Sequence, residues 1–166
     1  MKKTNLISGL LIILMILFSC SNNENSDSTP KDASIIGVWK PTKVVTVCST
    51  IDEVDELSIC EQNGRITFND NGTLSTNDYG NEYINGASGD CVESSNGSGT
   101  WILKENKLDL FIKYANTGEE ENDNLNATVY KLTDTTLQIG YLSDDPNDCN
   151  DGIKPTYYYT EYIRVE

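Results

Sequence analysis

The chain contains no histidine. That removes the side chain most often used as a general base near neutral pH, and the commonest metal ligand. No G-x-S-x-G, P-loop or zincin pattern occurs. No C-x-x-C pair occurs either, which argues against a zinc site. Carboxylates are plentiful but sit in solvent-like runs such as Glu119-Glu120-Glu121. Nothing here assembles catalytic machinery, and the expectation is a protein that is not an enzyme and carries no cofactor or metal. Basic residues are also scarce: 12 against 26 acidic ones in 166 residues, a net charge of −14. Nucleic acid and anionic lipid surfaces recruit basic patches, so neither is expected as a partner. No apolar run reaches the roughly 20 residues that a membrane-spanning helix needs.

The longest apolar segment, Leu6 to Phe18, follows a basic start at Lys2 and Lys3. Its length fits the central region of a secretory signal, roughly 7–15 residues. It ends in Leu17-Phe18-Ser19-Cys20, which resembles the lipobox of bacterial lipoproteins. The resemblance implies a signal peptide over residues 1–19, cleavage before Cys20, and acylation of its thiol and of the new amino terminus with palmitate-type chains. One acyl chain binds a membrane marginally, at about 0.8 kcal/mol per buried CH₂; three hold firmly. Ser21 stands where an aspartate would favour inner-membrane retention, so the resemblance points to the outer membrane of the cell envelope. Removal of Lys2 and Lys3 takes the net charge from −14 to −16. Ser21 to Asp32 has no apolar side chain except Pro30. Residues 20–33 therefore read as a lipidated cysteine and a flexible tether, with a reach of roughly 20 Å. Residues 34–166 are one domain by length.

Five cysteines are present, an odd count for an exported protein. Acylation of Cys20 leaves Cys48, Cys60, Cys91 and Cys149, enough for two disulfides in an oxidising compartment. Three connectivities are open.

The domain is built from short β-branched and aromatic segments divided by turn signals. Strands are expected over Ile36–Val47, Arg65–Asn69, Thr73–Asp78, Gly99–Lys104, Lys107–Ala115, Ala127–Leu132, Thr136–Leu142 and Pro155–Val165. Asn71-Gly72 suggests a type I′ hairpin. Leu108, Leu110, Ile112 and Tyr114 share one face of a strand, and Leu137, Ile139 and Tyr141 do the same further on. That period-2 pattern with one wet face marks an antiparallel sheet. Eight sequential strands with tight turns predict an all-β fold, an eight-stranded antiparallel up-and-down barrel. Thr50 to Glu53 has the form of a capping box, with Ile51, Val54 and Leu57 on one stripe. It suggests a short helix near residues 50–58, the other reading being an irregular acidic loop. Tyr79 to Ser98, rich in Gly, Asn and Ser, reads as a long loop.

Gly37-Val38-Trp39 at the start of the first strand resembles the G-x-W motif of lipocalins. The resemblance implies that Trp39 plugs the closed end of a barrel and that an arginine of the last strand, here Arg164, stacks over it. A closer resemblance is to the lipocalin-like domains of small bacterial lipoproteins. It rests on Cys60, Ile66-Thr67-Phe68, Asn71-Gly72-Thr73, Cys91 and Gly99-Thr100-Trp101, in that order. It implies a Cys60–Cys91 disulfide and with it Cys48–Cys149. The chain departs from the lipocalin T-D-Y motif, since Thr135 follows Thr133-Asp134.

Tyr157, Tyr158, Tyr159 and Tyr162 crowd the last strand, Tyr157 and Tyr159 pointing one way and Tyr158 and Tyr162 the other. Tyrosines in a barrel can line a pocket for an amphipathic molecule. Tyr141, Tyr157, Tyr159 and Trp101 are the candidate ligand-binding residues. The expected protein is a monomer that binds a small apolar or amphipathic ligand without covalent chemistry. The alternative is a protein-interaction or inhibitor module of the envelope. Acidic clusters at Asn69–Asn71, Glu119–Asn124 and Asp144–Asp151 do not match a calcium loop.

Overall fold

A computed structural model describes residues 33–48, 51–84, 87–115, 122–143, 149 and 157–165. Cys20, with the signal and tether, lies outside the described residues, as do residues 119–121 of the 119–124 cluster and all of the 144–151 cluster but Cys149. Nine strands follow in order: β1 (Gly37–Val47), β2 (Glu53–Glu56), β3 (Arg65–Phe68), β4 (Thr73–Ile84), β5 (Ala87–Lys104), β6 (Lys107–Tyr114), β7 (Asn122–Leu132), β8 (Thr136–Tyr141) and β9 (Tyr157–Arg164). From β3 to β9 each strand pairs antiparallel with its successor, and β1 pairs with both β3 and β9. The result is a closed eight-stranded antiparallel barrel, with β2 added outside the ring on β1.

Alternation in the sequence sets which side chains enter. Leu108, Leu110 and Ile112 of β6 and Leu137 and Ile139 of β8 are all buried, and they meet Trp39, Phe68 and Leu74 from β1, β3 and β4. Each fully buried side chain of this size contributes roughly 1.5–3 kcal/mol. Most of these positions lie toward one end of the barrel. There the turns are tight: β3–β4 at Asp70–Gly72, β5–β6 at Glu105–Asn106, and β7–β8 at Thr133–Thr135.

Trp39 closes that end and is wholly buried. Its indole N–H donates to the Ile35 carbonyl at 2.7 Å. The Arg164 guanidinium lies 4.1 Å above its ring. Arg164 also donates from Nε to the Asp134 carbonyl (2.7 Å), from Nη1 to that of Ile36 (2.6 Å) and from Nη2 to that of Ser34. One side chain thus ties the approach to β1, the β7–β8 turn and the plug together. Gly37 has φ +139°, a backbone that a residue with a Cβ would adopt only under strain. That accounts for the glycine two places before the plug.

Three expectations from sequence are corrected. The β3–β4 hairpin is not type I′: Gly72 has φ +79° but Asn71 is not in the left-handed region. Asn69 N–H donates to the Thr73 carbonyl and Gly72 N–H to the Asn69 carbonyl, the pattern of a three-residue loop ending in a left-handed glycine. The Asn71 side chain accepts from the Thr73 N–H and so serves the turn from outside the hairpin position expected of it. The helix near residues 50–58 is absent from the described part of that stretch, where Glu53–Glu56 is strand β2, paired to Lys43–Thr46. Unmet backbone groups on the upper half of β1 outweigh the local capping pattern. Tyr79 to Ser98 is for the most part not a loop but a two-stranded ribbon, since β4 and β5 continue past the level of the other strands. Its low apolar content reflects two wet faces rather than lack of pairing.

Removing the Arg164 guanidinium breaks three hydrogen bonds and the ring contact. Arg164→Leu should lower the unfolding free energy by about 2–4 kcal/mol. Arg164→Lys should recover less than half of that, because an ammonium does not present the planar fork. Urea unfolding of both variants checks this; equal stability of the leucine variant and the parent would refute it.

Candidate functional site

The barrel wall is incomplete at one place. β3 is four residues long while β1 has eleven and β4 twelve. β3 covers β1 only at Gly37–Trp39 and β4 only up to Asn77. Above that level no strand among the described residues joins β1 to β4. β1 itself changes course there, with a register shift between Pro41 and Lys43. The chain between β2 and β3 fills part of the breach. It is held by the Leu57 N–H on the Thr42 carbonyl (3.0 Å) and by a 3₁₀ turn at Glu61–Asn63. The Arg65 Nη1 donates to the carbonyls of Gln62, Asn63 and Gly64 and so clasps the end of that turn. The Cys60–Cys91 disulfide then fastens this connection to the ribbon. The second bridge, Cys48–Cys149, joins the end of β1 to the segment before β9.

Behind the connection lies a cavity of about 270 Å³. Its apolar wall is Pro41 and Val44 of β1, Leu57, and Ile66 of β3. Tyr79 and Tyr162 add rings, Thr76 and Thr160 hydroxyls, and Glu61, Arg65 and Asp78 charge. Tyr162 packs on the core, and burial pushes its phenol far up, against a hydrogen bond with Thr160 that lowers it. Asp78, Tyr141 and Tyr114 add to the rise. The phenol therefore stays neutral. The volume is close to the lower end of small-molecule sites, roughly 300–1,000 Å³. A larger hollow of about 660 Å³ lies on the outer wall beside Ser98, Thr100, Phe111 and Lys113. It is framed by outward-facing side chains of β5 and β6, so the inner cavity is the better candidate for enclosing a ligand.

Strand parity places the four candidate tyrosine and tryptophan residues. Arg164 faces inward over Trp39, so Tyr162, Thr160 and Tyr158 of β9 face inward as well. Tyr157 and Tyr159 therefore face outward. Tyr157 stacks on Tyr130 of β7 with centroids 4.1 Å apart, and Tyr159 lies 6.2 Å from Tyr157. Tyr159 stands opposite Val45, which is buried on the same outer face. Tyr141 faces inward beside Tyr158, with centroids 5.7 Å apart. Trp101 serves the closed end: it meets Phe68 edge-on at 5.5 Å, and its indole N–H donates to the Asn69 and Thr73 carbonyls. The cavity brings together none of these four. It is lined instead by the last turn before β3, the lower ribbon and the inward face of β9. The signal for it was the shortness of the segment between Gly64 and Asn69, set against its long neighbours.

Residues 35–139, more than half of the chain, match the lipocalin-like domain family, and the chain belongs to that family. No curated protein matches the chain. The family is in general one of binding barrels rather than of enzymes.

The Glu61 carboxylate accepts the Ser58 N–H at 2.8 Å, and Ser58 holds its pKa below the ordinary 4.5. A lowered folded pKa gives stability that is present above pH 4.5 and is lost as pH falls through the folded value. Glu61→Gln should therefore destabilise the protein most at neutral pH, and the difference from the parent should shrink on acidification below pH 4.5. Urea midpoints measured against pH check this; a gap that does not change with pH would count against it.

Proposed function

We propose that this protein is a lipid-anchored lipoprotein of the cell envelope, held in the outer membrane through Cys20. Its barrel takes up a small amphipathic molecule through the breach above β3. The observation that carries the binding reading is the cavity of about 270 Å³, in which apolar side chains are interleaved with hydroxyls and charged groups. Burial of the ligand's apolar body supplies affinity, and Thr76, Thr160 and the charged rim orient its polar end. The work done is binding, with no bond made or broken. The signal-like start, Cys20 and the polar tract to residue 33 support the anchor, with one barrel domain from residue 34 onward.

A second reading, an interaction module, has its own observation. Ile51, Ile59, Tyr83 and Leu142 are each more than three-quarters exposed, and all lie on the open end of the barrel or on its ribbon. Apolar side chains presented in this way are what a protein partner would cover.

Val44 lines the cavity, and a phenyl ring there fills part of it. Val44→Phe should weaken binding of an environment-sensitive apolar dye about tenfold or more, with far-ultraviolet circular dichroism unchanged. Unaltered dye binding would move the weight to the interaction module. Cys20→Ala should shift the protein from the membrane to the soluble fraction of its host, and mass spectrometry of the native chain should find acyl groups on Cys20. An unmodified Cys20 in the membrane fraction would refute the anchor.

A further inference from the structure

We propose that the cavity is selective for charge: its ligand is a small organic cation, an amine or quaternary ammonium with an apolar body, rather than a fatty acid or other amphipathic anion. This rests on the cavity reading above and adds the chemistry of the ligand's polar end. The rim carries two carboxylates, Glu61 and Asp78, and one guanidinium, Arg65. The three are not equally available. Arg65 directs Nη1 into three backbone carbonyls at 2.6–3.0 Å, so protein dipoles already answer much of its charge. Asp78 accepts one hydrogen bond, from the Ser95 hydroxyl at 2.7 Å, and is otherwise exposed at the mouth. Glu61 accepts the Ser58 N–H and is likewise exposed.

The approach to the mouth has the same sign. β2 and the residues just before it carry Asp52, Glu53, Asp55 and Glu56, and the ribbon carries Glu82, Asp90 and Glu93. Residues 51–57 and 78–95 contain no lysine or arginine at all. These two acidic segments beside a cleft with apolar sides, offset in part by Lys43 opposite Glu56, concentrate field lines there, raising the local concentration of cations and repelling anions. Tyr79 and Tyr162 line the cavity as well, and an aromatic ring is a group to which an ammonium is attracted. The apolar wall of Pro41, Val44, Leu57 and Ile66 gives a bare metal ion nothing, whereas an alkyl or aryl body gains from it.

The test is calorimetric titration of the purified full-length chain with octylamine, octyltrimethylammonium, octanol and octanoate, at low and at high salt. The two cations should bind about tenfold or more tightly than octanoate, with octanol between, and the gap should narrow as salt is raised. The double variant Glu61→Gln with Asp78→Asn should lose most of the cation preference while keeping its affinity for octanol, which serves as the check that fold and cavity survive. Octanoate binding as tightly as octylamine, or a cation preference undiminished in the double variant, overturns the charge selectivity and leaves the cavity reading standing. Binding of none of the four overturns both.

Discussion

A closed barrel abolishes strand edges only where every strand reaches both ends, and β3 does not. This one short strand governs the upper half of the molecule. The upper part of β1 would face water with unpaired backbone groups, so Lys43–Thr46 takes β2 as a substitute partner. The chain must then travel back across the breach to begin β3 at Arg65. It does so in a 3₁₀ turn whose carbonyls are answered by the Arg65 side chain. The other bank of the breach, β4, keeps pairing with β5 and leaves the barrel as a ribbon. Cavity, turn, extra strand and ribbon are four consequences of the same missing length of β-sheet.

The lower half obeys the opposite rule. There the strands are matched, the turns are tight, and large apolar side chains meet in a buried core. Backbone carbonyls at the barrel floor converge on Arg164, whose charge is neutralised by their dipoles and by the face of Trp39. A lysine has three donors on one atom and a glutamine two, but neither offers the planar fork that reaches three separated carbonyls while lying over the ring. Stability therefore concentrates at the floor, and this leaves the rim free to carry acidic loops that contribute little to the core. A net charge of −14 would strain a small barrel if it were spread over the core-facing strands. Among the described residues the carboxylates lie largely on β2, the connection, the ribbon and the turns, where they cost less.

Much of the barrel was legible in sequence because the signals were of the kind that survive tertiary context. The alternation in β6 and β8, and the turns between them and their neighbours, put eight strands in their places. What misled was local pattern where a distant partner decides. The capping box at Thr50–Glu53 describes a helix that would form in isolation, but Glu53–Glu56 has a strand of β1 waiting beside it. The stretch after Asn77 reads as a loop because it has no apolar face, and a ribbon wet on both sides needs none. For two of the candidate residues, Tyr157 and Tyr159, strand parity sets the direction. The resemblance that sets Arg164 over Trp39 also fixes every alternate residue of β9, and it turns Tyr157 and Tyr159 outward. What the sequence could not show was the depth of the breach, which depends on how far β1 and β4 outrun β3.

The two disulfides sit at the places this architecture leaves weakest. Cys48–Cys149 closes 101 residues and Cys60–Cys91 closes 31, which on chain entropy stabilises by about 5 and about 4 kcal/mol. Their positions matter as much as their loop lengths. Cys60 stands in the connection that walls the cavity, and Cys91 stands opposite Asn81 in the ribbon, beyond the last level at which β5 has β6 beside it. Without that bond the ribbon is joined to the rest of the molecule through its own base and through weak contacts such as Asn63 Nδ2 on the Cys91 sulfur. With it, the connection that walls the cavity is bonded covalently to the ribbon. A wall that is not hydrogen-bonded sheet is thereby given a covalent substitute for the ladder it lacks, in the region where the barrel itself does not provide one.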